Sequence, residues 1–138
     1  MTNKCVVLDT NCLVQVISRH SPYRPIWDSF LNQEFDLCVS NEIIDEYQEI
    51  LEQQTSVMIA EHLIMLLINS KNVRLVNPQY RFNIITKDPD DNKFVDCAIT
   101  GGADYIVSDD AHFNVLQQIQ FPNVKVLHLR EFLNEINK

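Results

Sequence analysis

Four carboxylates lie at positions in this sequence where an acidic side chain can do chemistry. Asp9 follows the apolar run 5–8, and Asp110 follows a second such run at 105–108. Glu46 lies on an amphipathic segment, and Asp91 ends a short acidic stretch that leads into a helix. Open α/β sheets bind ligands at the carboxyl ends of their strands and at nearby helix N-termini. Because clustered carboxylates repel one another, the four residues predict a site for a divalent cation and the phosphate that it binds.

The types of these ligands indicate which ion the site would take. Hard divalent ions prefer carboxylate and water oxygens, so the set favours Mg²⁺ or Mn²⁺ over zinc, and one or two ions remain open. We expect Asp9 and Asp110 to bind directly, because strand ends hold them rigidly. Glu46 and Asp91 are expected to bind through water or to orient the nucleophile. Without metal, repulsion should raise at least one pKa of the set.

Several neighbouring polar residues are predicted to support the acids. Hydroxyl and amide groups suited to holding carboxylates come from Thr10, Asn11 and Ser108, although Thr10 and Asn11 also suit ordinary helix capping. Two further acids, Asp96 and Asp109, are accessory candidates. Asp96 either joins the outer shell of the metal or lies on a solvated helix face.

Short apolar runs alternate with amphipathic segments along the chain. Continuous apolar runs, rather than alternating ones, favour parallel strands that are covered on both faces. Strands are predicted at 4–8, 36–39, 73–76, 105–108 and 125–128. Helices are predicted at 11–20, 26–32, 41–53, 57–69, 91–100, 112–119 and 130–136, with a break at 22–25 and an irregular stretch at 80–87. The alternation predicts an α/β fold, a three-layer α/β/α sandwich around a mainly parallel sheet.

The segment that contains Glu46 can be examined by helical geometry. Its apolar residues recur at helical spacing on one stripe: Ile43, Ile44, Tyr47, Ile50 and Leu51. At about 100° per residue, Glu46 lies roughly 90° from the centre of that stripe, whereas the other acids of the helix face solvent. Glu46 is therefore placed to face the edge of the sheet. From the helix alone, an ordinary solvated acidic helix is an equally open interpretation.

Composition narrows the class of protein. The 138 residues, 46% of them hydrophobic, suit a single globular domain over 1–138 that buries about two-thirds of its unfolded surface. No apolar stretch approaches the roughly 20 residues of a membrane span, and the N-terminus lacks a secretory signal, so a cytoplasmic location is expected. The dispersed cysteines and histidines predict no zinc site.

The net charge of −8 argues against a broad basic surface for nucleic acid. It does not exclude a metal-dependent nuclease, because a bound ion restores attraction for phosphate. The basic residues nearest the predicted site in the sequence are Arg19, Arg24, Lys87 and Lys93.

Four segments, in order, resemble the motifs of PIN domains. The first, VVLDTN at 6–11, is a strand that ends in Asp and continues with Thr-Asn. The second lies at 40–51 around Glu-Tyr, the third is DPDDNKF at 88–94 leading to Ala98, and the fourth is ADYIVSDD at 103–110 followed by His-Phe. The similarity spans residues 6–127. It is strongest to the bacterial branch of toxin components of toxin–antitoxin pairs, which are relatives of the VapC ribonucleases.

The resemblance implies roles for particular residues. The acids of the family fall on Asp9, Glu46, Asp91 and Asp110. Asp110 is preferred to Asp109 because the family's aspartate precedes an apolar residue by three positions, as Asp110 precedes Phe113. Asp96 falls where relatives often carry a further acid.

The resemblance also implies partners: an RNA substrate, an antitoxin protein whose peptide covers the acidic pocket, and a homodimer. The apolar helix 57–68 suits either a dimer surface or core packing.

Three other classes of protein can be compared with the sequence. A PIN-like module that binds RNA or a partner without cutting is the main alternative. A receiver domain needs an acid pair after its first strand, and a haloacid-dehalogenase-type phosphatase needs Asp-x-Asp, which Asn11 interrupts.

Overall fold

The computed structural model describes residues 3–118 and 124–138. Its five strands form one sheet in the order β3-β2-β1-β4-β5, and every pairing is parallel. The strands are β1 Cys5–Leu8, β2 Asp36–Val39, β3 Val73–Leu75, β4 Tyr105–Val107 and β5 Lys125–Leu127. Val6 and Val7 point to opposite faces of the sheet and are both fully buried, so both faces are covered. The predicted three-layer α/β fold is confirmed.

Helices connect the strands. They are α1 Thr10–Ile17, α2 Arg24–Leu31, α3 Asn41–Gln54, α4 Val57–Asn69, α5 Asn92–Gly101 and α6 Leu129–Ile136. Among the described residues, none of these helices is long and apolar enough to cross a membrane.

Three of the predicted elements differ from those observed in type or by more than one residue. The segment Ala111–Gln118, predicted as an α-helix to 119, is a 3₁₀ helix, and residue 119 lies outside the described residues. The predicted break at 22–25 overlaps the start of α2, because Pro25 falls in the first turn, where its missing N–H is not needed. Helix α1 ends at Ile17 rather than at residue 20.

The order of the strands places the end of β1 at a topological switch point. From β1 the chain moves to β2 and β3 on one side, whereas β4 and β5 lie on the other. Leu8 pairs with Val107, and the backbone N–H of Asp9 donates to the carbonyl of Val107 at 3.0 Å. The residues that follow β1 and β4 are therefore neighbours at the carboxyl edge, where sheets of this kind bind ligands.

Helix α3 is held against this edge by buried contacts. Ser40 caps its N-terminus and accepts a hydrogen bond from the backbone N–H of Ile43 at 3.2 Å. The fully buried Tyr47 donates its hydroxyl proton to the carbonyl of Leu8 at 2.5 Å. Because Glu46 precedes Tyr47, this hydrogen bond brings Glu46 to the end of β1.

Helix α5 approaches the sheet closely at its C-terminus. A Cβ atom on Gly101 would lie 2.5 Å from the Cys38 sulfur, so only glycine fits there. Gly102 caps the end of the helix in the left-handed conformation with φ of 64°, which glycine adopts without strain. The contact of Gly101 sets how closely α5 packs against the sheet. Asp91 directly precedes the other end of the helix.

Candidate metal site

Asp9 is the most buried acid of the site. The residue is 7% exposed, and its Oδ2 accepts a hydrogen bond from the Ser108 hydroxyl at 2.8 Å. Burial raises the pKa of Asp9, and the negative charges of Asp110 and Glu46 raise it further. Hydrogen bonds from Ser108 and from the backbone of Asn11 oppose the rise in pKa without cancelling it.

Asp110 is joined to Asp9 through Ser108. The buried Ser108 hydroxyl oxygen accepts a hydrogen bond from the backbone N–H of Asp110 at 3.0 Å while it donates to Asp9. Asp110 in turn accepts the backbone N–H of His112 at 2.9 Å, which starts the 3₁₀ helix. The fully buried Phe113 anchors that helix. A single hydroxyl therefore sets the relative position of the two strand-end acids.

Asp91 enters the same site from the short 3₁₀ helix Pro89–Asp91, which leads into α5. Its side chain is 13% exposed and lies 3.2 Å from Nδ1 of His112. Burial, together with the charges of Asp110, Asp88 and Asp9, raises the pKa of Asp91 to about 6, although the hydrogen bond from His112 lowers it. The predicted rise in pKa is thus found at both Asp9 and Asp91.

The negative charge of Glu46 is paired with the positive charge of a lysine. Its Oε1 lies 2.6 Å from the Lys93 ammonium, and its Oε2 accepts a hydrogen bond from the Thr10 hydroxyl. Both side chains of the ion pair are largely buried. Sequence analysis identified Lys93 only as a nearby basic residue. Its position two residues after Asp91 gave no clear signal, because side chains two positions apart on a helix point to different sides.

The accessory acids lie at two different places. Asp109 borders the site, but its Oδ1 accepts the backbone N–H of Leu129 at 3.1 Å and lies 3.2 Å from Nδ1 of His128. It therefore holds the start of α6. The buried Asp96 accepts the backbone N–H of Phe82 at 3.1 Å, which ties the irregular segment before α5 to that helix.

His112 is a residue of the site that sequence analysis treated as a dispersed surface or packing histidine. Its Nδ1 lies 3.2 Å from Asp91 and 3.3 Å from Asp110. Ligand atoms of Asp88, Asp91 and His112 lie within 4.8 Å of one another, close enough to hold one ion. The signal in the sequence was its place two residues after Asp110, at the start of the 3₁₀ helix.

Clefts that are open to solvent border residues of this group. One of about 320 Å³ is bordered by Asp9, Asn11 and Asp110. Another, of about 290 Å³, is bordered by His112, Lys87 and Asn114. A carboxylate-rich group with a raised pKa at two members and access to solvent fits a hard divalent cation.

Comparisons with known proteins agree with this fold and place the chain in a family. The PIN domain family matches residues 5–112, so the chain belongs to the PIN domain family. No match was found among curated proteins.

Two similar solved structures are DNA-bound complexes. VapBC2 from Rickettsia felis, bound to a DNA fragment from its promoter, has a TM-score of 0.61 at 14% identity, with 90% of this chain and 98% of that chain covered. DNA-bound VapBC from Salmonella typhimurium has a TM-score of 0.60 at 16% identity, with 94% and 99% covered. At these identities the likeness shows the fold.

Proposed function

We propose that this protein is a divalent-metal-dependent endoribonuclease that acts as the toxin of a toxin–antitoxin pair. The observation that carries the proposal is the approach of Asp9, Asp91 and Asp110 to one another at the switch point of the sheet. Burial and the charge of Asp110 raise the pKa of Asp9 and of Asp91, which costs stability unless a cation joins them. Membership of the PIN domain family supports the same activity.

In this proposal, each acid has a distinct task. Asp9 and Asp110 bind Mg²⁺ or Mn²⁺ directly, and Ser108 links the Asp9 carboxylate to the backbone N–H of Asp110. Asp91 and Glu46 bind through water or orient the attacking water. The bound ion supplies an acidified water and stabilises negative charge on the phosphodiester. Lys93 holds the Glu46 carboxylate in place through their ion pair.

The clefts that border Asp110 and His112 suit an extended RNA strand. A scissile phosphate at Asp9 and Asp110 leaves one neighbouring nucleotide beside Asn11 and the other beside Lys87 and Asn114. Lys87 is positioned to contact a backbone phosphate, and the Asn114 amide to hydrogen bond a base or sugar. The strongly acidic remainder of the protein disfavours extended duplex binding, so a single strand is the expected substrate.

Two neighbouring aspartates make a matched test of the activity. We expect purified protein to cleave RNA in Mn²⁺ or Mg²⁺ and to lose at least about a hundredfold in rate with Asp110→Asn. Asp109→Asn removes an equal charge one residue away. Because Asp109 contacts the start of α6, this variant should retain most activity. Sequencing the cut ends would define the specificity.

Equal cleavage by the wild type and Asp110→Asn would mean a contaminating nuclease or a different site. A wild type that binds Mn²⁺ and RNA but never cleaves would favour the alternative, a catalytically silent binding module. The ion pair between Lys93 and Glu46 is the observation that gives this alternative weight, because a lysine already satisfies one of the four acids.

The partners belong to the same proposal. The VapBC neighbours are complexes, which supports an antitoxin protein whose peptide covers the acidic pocket. The proposal treats 1–138 as one cytoplasmic domain. Helix α4 buries Ala60, Ile64 and Leu67 but leaves Met58 and Met65 more than half exposed, which suits a homodimer contact. Light scattering would detect the dimer, and Met58→Lys should halve the measured mass.

A further inference from the structure

We propose that His112 supplies a nitrogen ligand to the metal, so that the site prefers Mn²⁺ and similar transition ions to Mg²⁺. This inference rests on the metal site of the proposed function, and it adds a residue that the four-acid set does not contain. It also names the ion that the site selects.

The spacing of ligand atoms around His112 is short enough for a shared ion. An octahedral ion with bonds of about 2.1 Å places adjacent ligand atoms about 3.0 Å apart. Nδ1 of His112 lies 3.2 Å from Oδ2 of Asp91 and 3.3 Å from Oδ1 of Asp110. One nitrogen is therefore at the distance of an adjacent ligand from two carboxylates that come from different elements. Asp88 lies close enough to offer a further oxygen.

The position of the imidazole is built into the fold. The backbone N–H of His112 donates to Asp110 at 2.9 Å, which fixes where the side chain starts. The next residue, Phe113, is fully buried and packs edge-on against Phe94 of α5 with ring centroids 6.4 Å apart. This contact joins the helix of His112 to the helix that Asp91 precedes. The histidine side chain is 34% exposed, so an ion from solvent can reach it.

A nitrogen ligand changes which ion the site prefers. Mg²⁺ takes oxygen ligands almost exclusively, whereas imidazole nitrogen suits transition ions, whose affinity also rises from Mn²⁺ along the series. A site with only the four acids should bind Mg²⁺ and Mn²⁺ with similar affinity. A site that includes His112 should bind Mn²⁺ more tightly, and the difference should depend on that residue.

The chain contains a matched control histidine. Nδ1 of His128 lies 3.2 Å from Oδ1 of Asp109, the same separation as in the pair between His112 and Asp91. Asp109 is occupied by the backbone N–H of Leu129, and both members of the His128 pair are exposed. His128 therefore has the aspartate contact without the second carboxylate.

The test uses Mn²⁺ itself as the probe, with pulsed electron paramagnetic resonance of the full chain. The wild type and His128→Gln should show coupling to a directly bound ¹⁴N nucleus, which shifts to a ¹⁵N signal after histidine labelling. His112→Gln should lack this coupling. Calorimetry should show an affinity for Mn²⁺ that falls about tenfold or more in His112→Gln, with the affinity for Mg²⁺ changed by less than about threefold.

A wild type without nitrogen coupling, or one that binds no Mn²⁺, would overturn the inference whether or not the variants fold. Coupling that persists in His112→Gln, or an equal fall for both ions, would do the same. None of these measurements uses RNA. Nitrogen coupling in a protein that does not cleave RNA would refute the nuclease and leave the ligand assignment intact, whereas cleavage without coupling would refute only the assignment.

Discussion

Replacing Asp91 by asparagine should stabilise the metal-free protein at neutral pH. Asp91 is ionised there although burial and three neighbouring aspartates oppose its charge, which raises its pKa from the usual 3.8 to about 6. Asparagine keeps the shape of the side chain, removes the charge and can still accept the hydrogen bond from His112. The substitution should therefore relieve repulsion while it removes a residue that we assign to the metal site.

The size of the effect follows from the shift in pKa. A rise of about two pK units, at about 1.4 kcal/mol each, corresponds to an upper limit of roughly 3 kcal/mol. The hydrogen bond from His112 to asparagine is weaker than the one to the carboxylate. This loss reduces the expected stabilisation to about 1–3 kcal/mol. The folded state holds the Asp91 proton more tightly than the unfolded chain does. Protonated Asp91 therefore stabilises the wild type fully below about pH 4. The wild type loses this stabilisation as the pH rises to about 6 and above.

The assay is urea unfolding in EDTA at a series of pH values from about 4 to 8. The difference in the free energy of unfolding, variant minus wild type, should be near zero at the acidic end and rise to about 1–3 kcal/mol by pH 7.5. The exposed Asp90→Asn is the control and should stay within about 0.5 kcal/mol throughout. A difference that is flat with pH, or a variant that is less stable at pH 7.5, would refute the reasoning.

Three further substitutions test how the site is supported, each by urea unfolding in EDTA. Lys93→Met should lower the free energy of unfolding by about 1–3 kcal/mol, because Glu46 stays partly buried without its cation; no loss would show that the ion pair is incidental. Gly101→Ala should cost about 1–3 kcal/mol through the clash with the buried sulfur of Cys38, and a neutral result would mean that α5 lies further from the sheet. Gly102→Ala has open space around it but a positive φ, so it should cost about 1–2 kcal/mol from backbone strain alone.

The sheet and the strand-end acids could be predicted because their signals are local. A continuous apolar run such as 5–8 indicates a buried parallel strand, and an acid directly after it must lie at the carboxyl edge. The Ser40 cap and the Gly102 C-cap follow from the conformations that those residue types favour. Such features depend on a few neighbouring residues, so the sequence alone contains them.

The places of Lys93 and His112 near the predicted acids were visible in the sequence, but their contacts could not be predicted, since they depend on how separate elements meet. The ion pair of Lys93 crosses 47 positions of sequence, and the contact between His112 and Asp91 crosses 21. Both contacts depend on how closely α5 packs against the sheet, which the contact of Gly101 sets. Asp96 illustrates the same limit, because helical spacing alone did not reveal that its partner is the backbone of Phe82.

Anomalous diffraction from crystals grown with Mn²⁺ tests the central claim most directly. The account predicts a strong peak bounded by Asp9 and Asp110, with carboxylate oxygens about 2.1–2.2 Å from the ion and Asp91 and His112 at the same centre. An ion bound elsewhere on the protein, or no ion beside these residues at millimolar Mn²⁺, would contradict it.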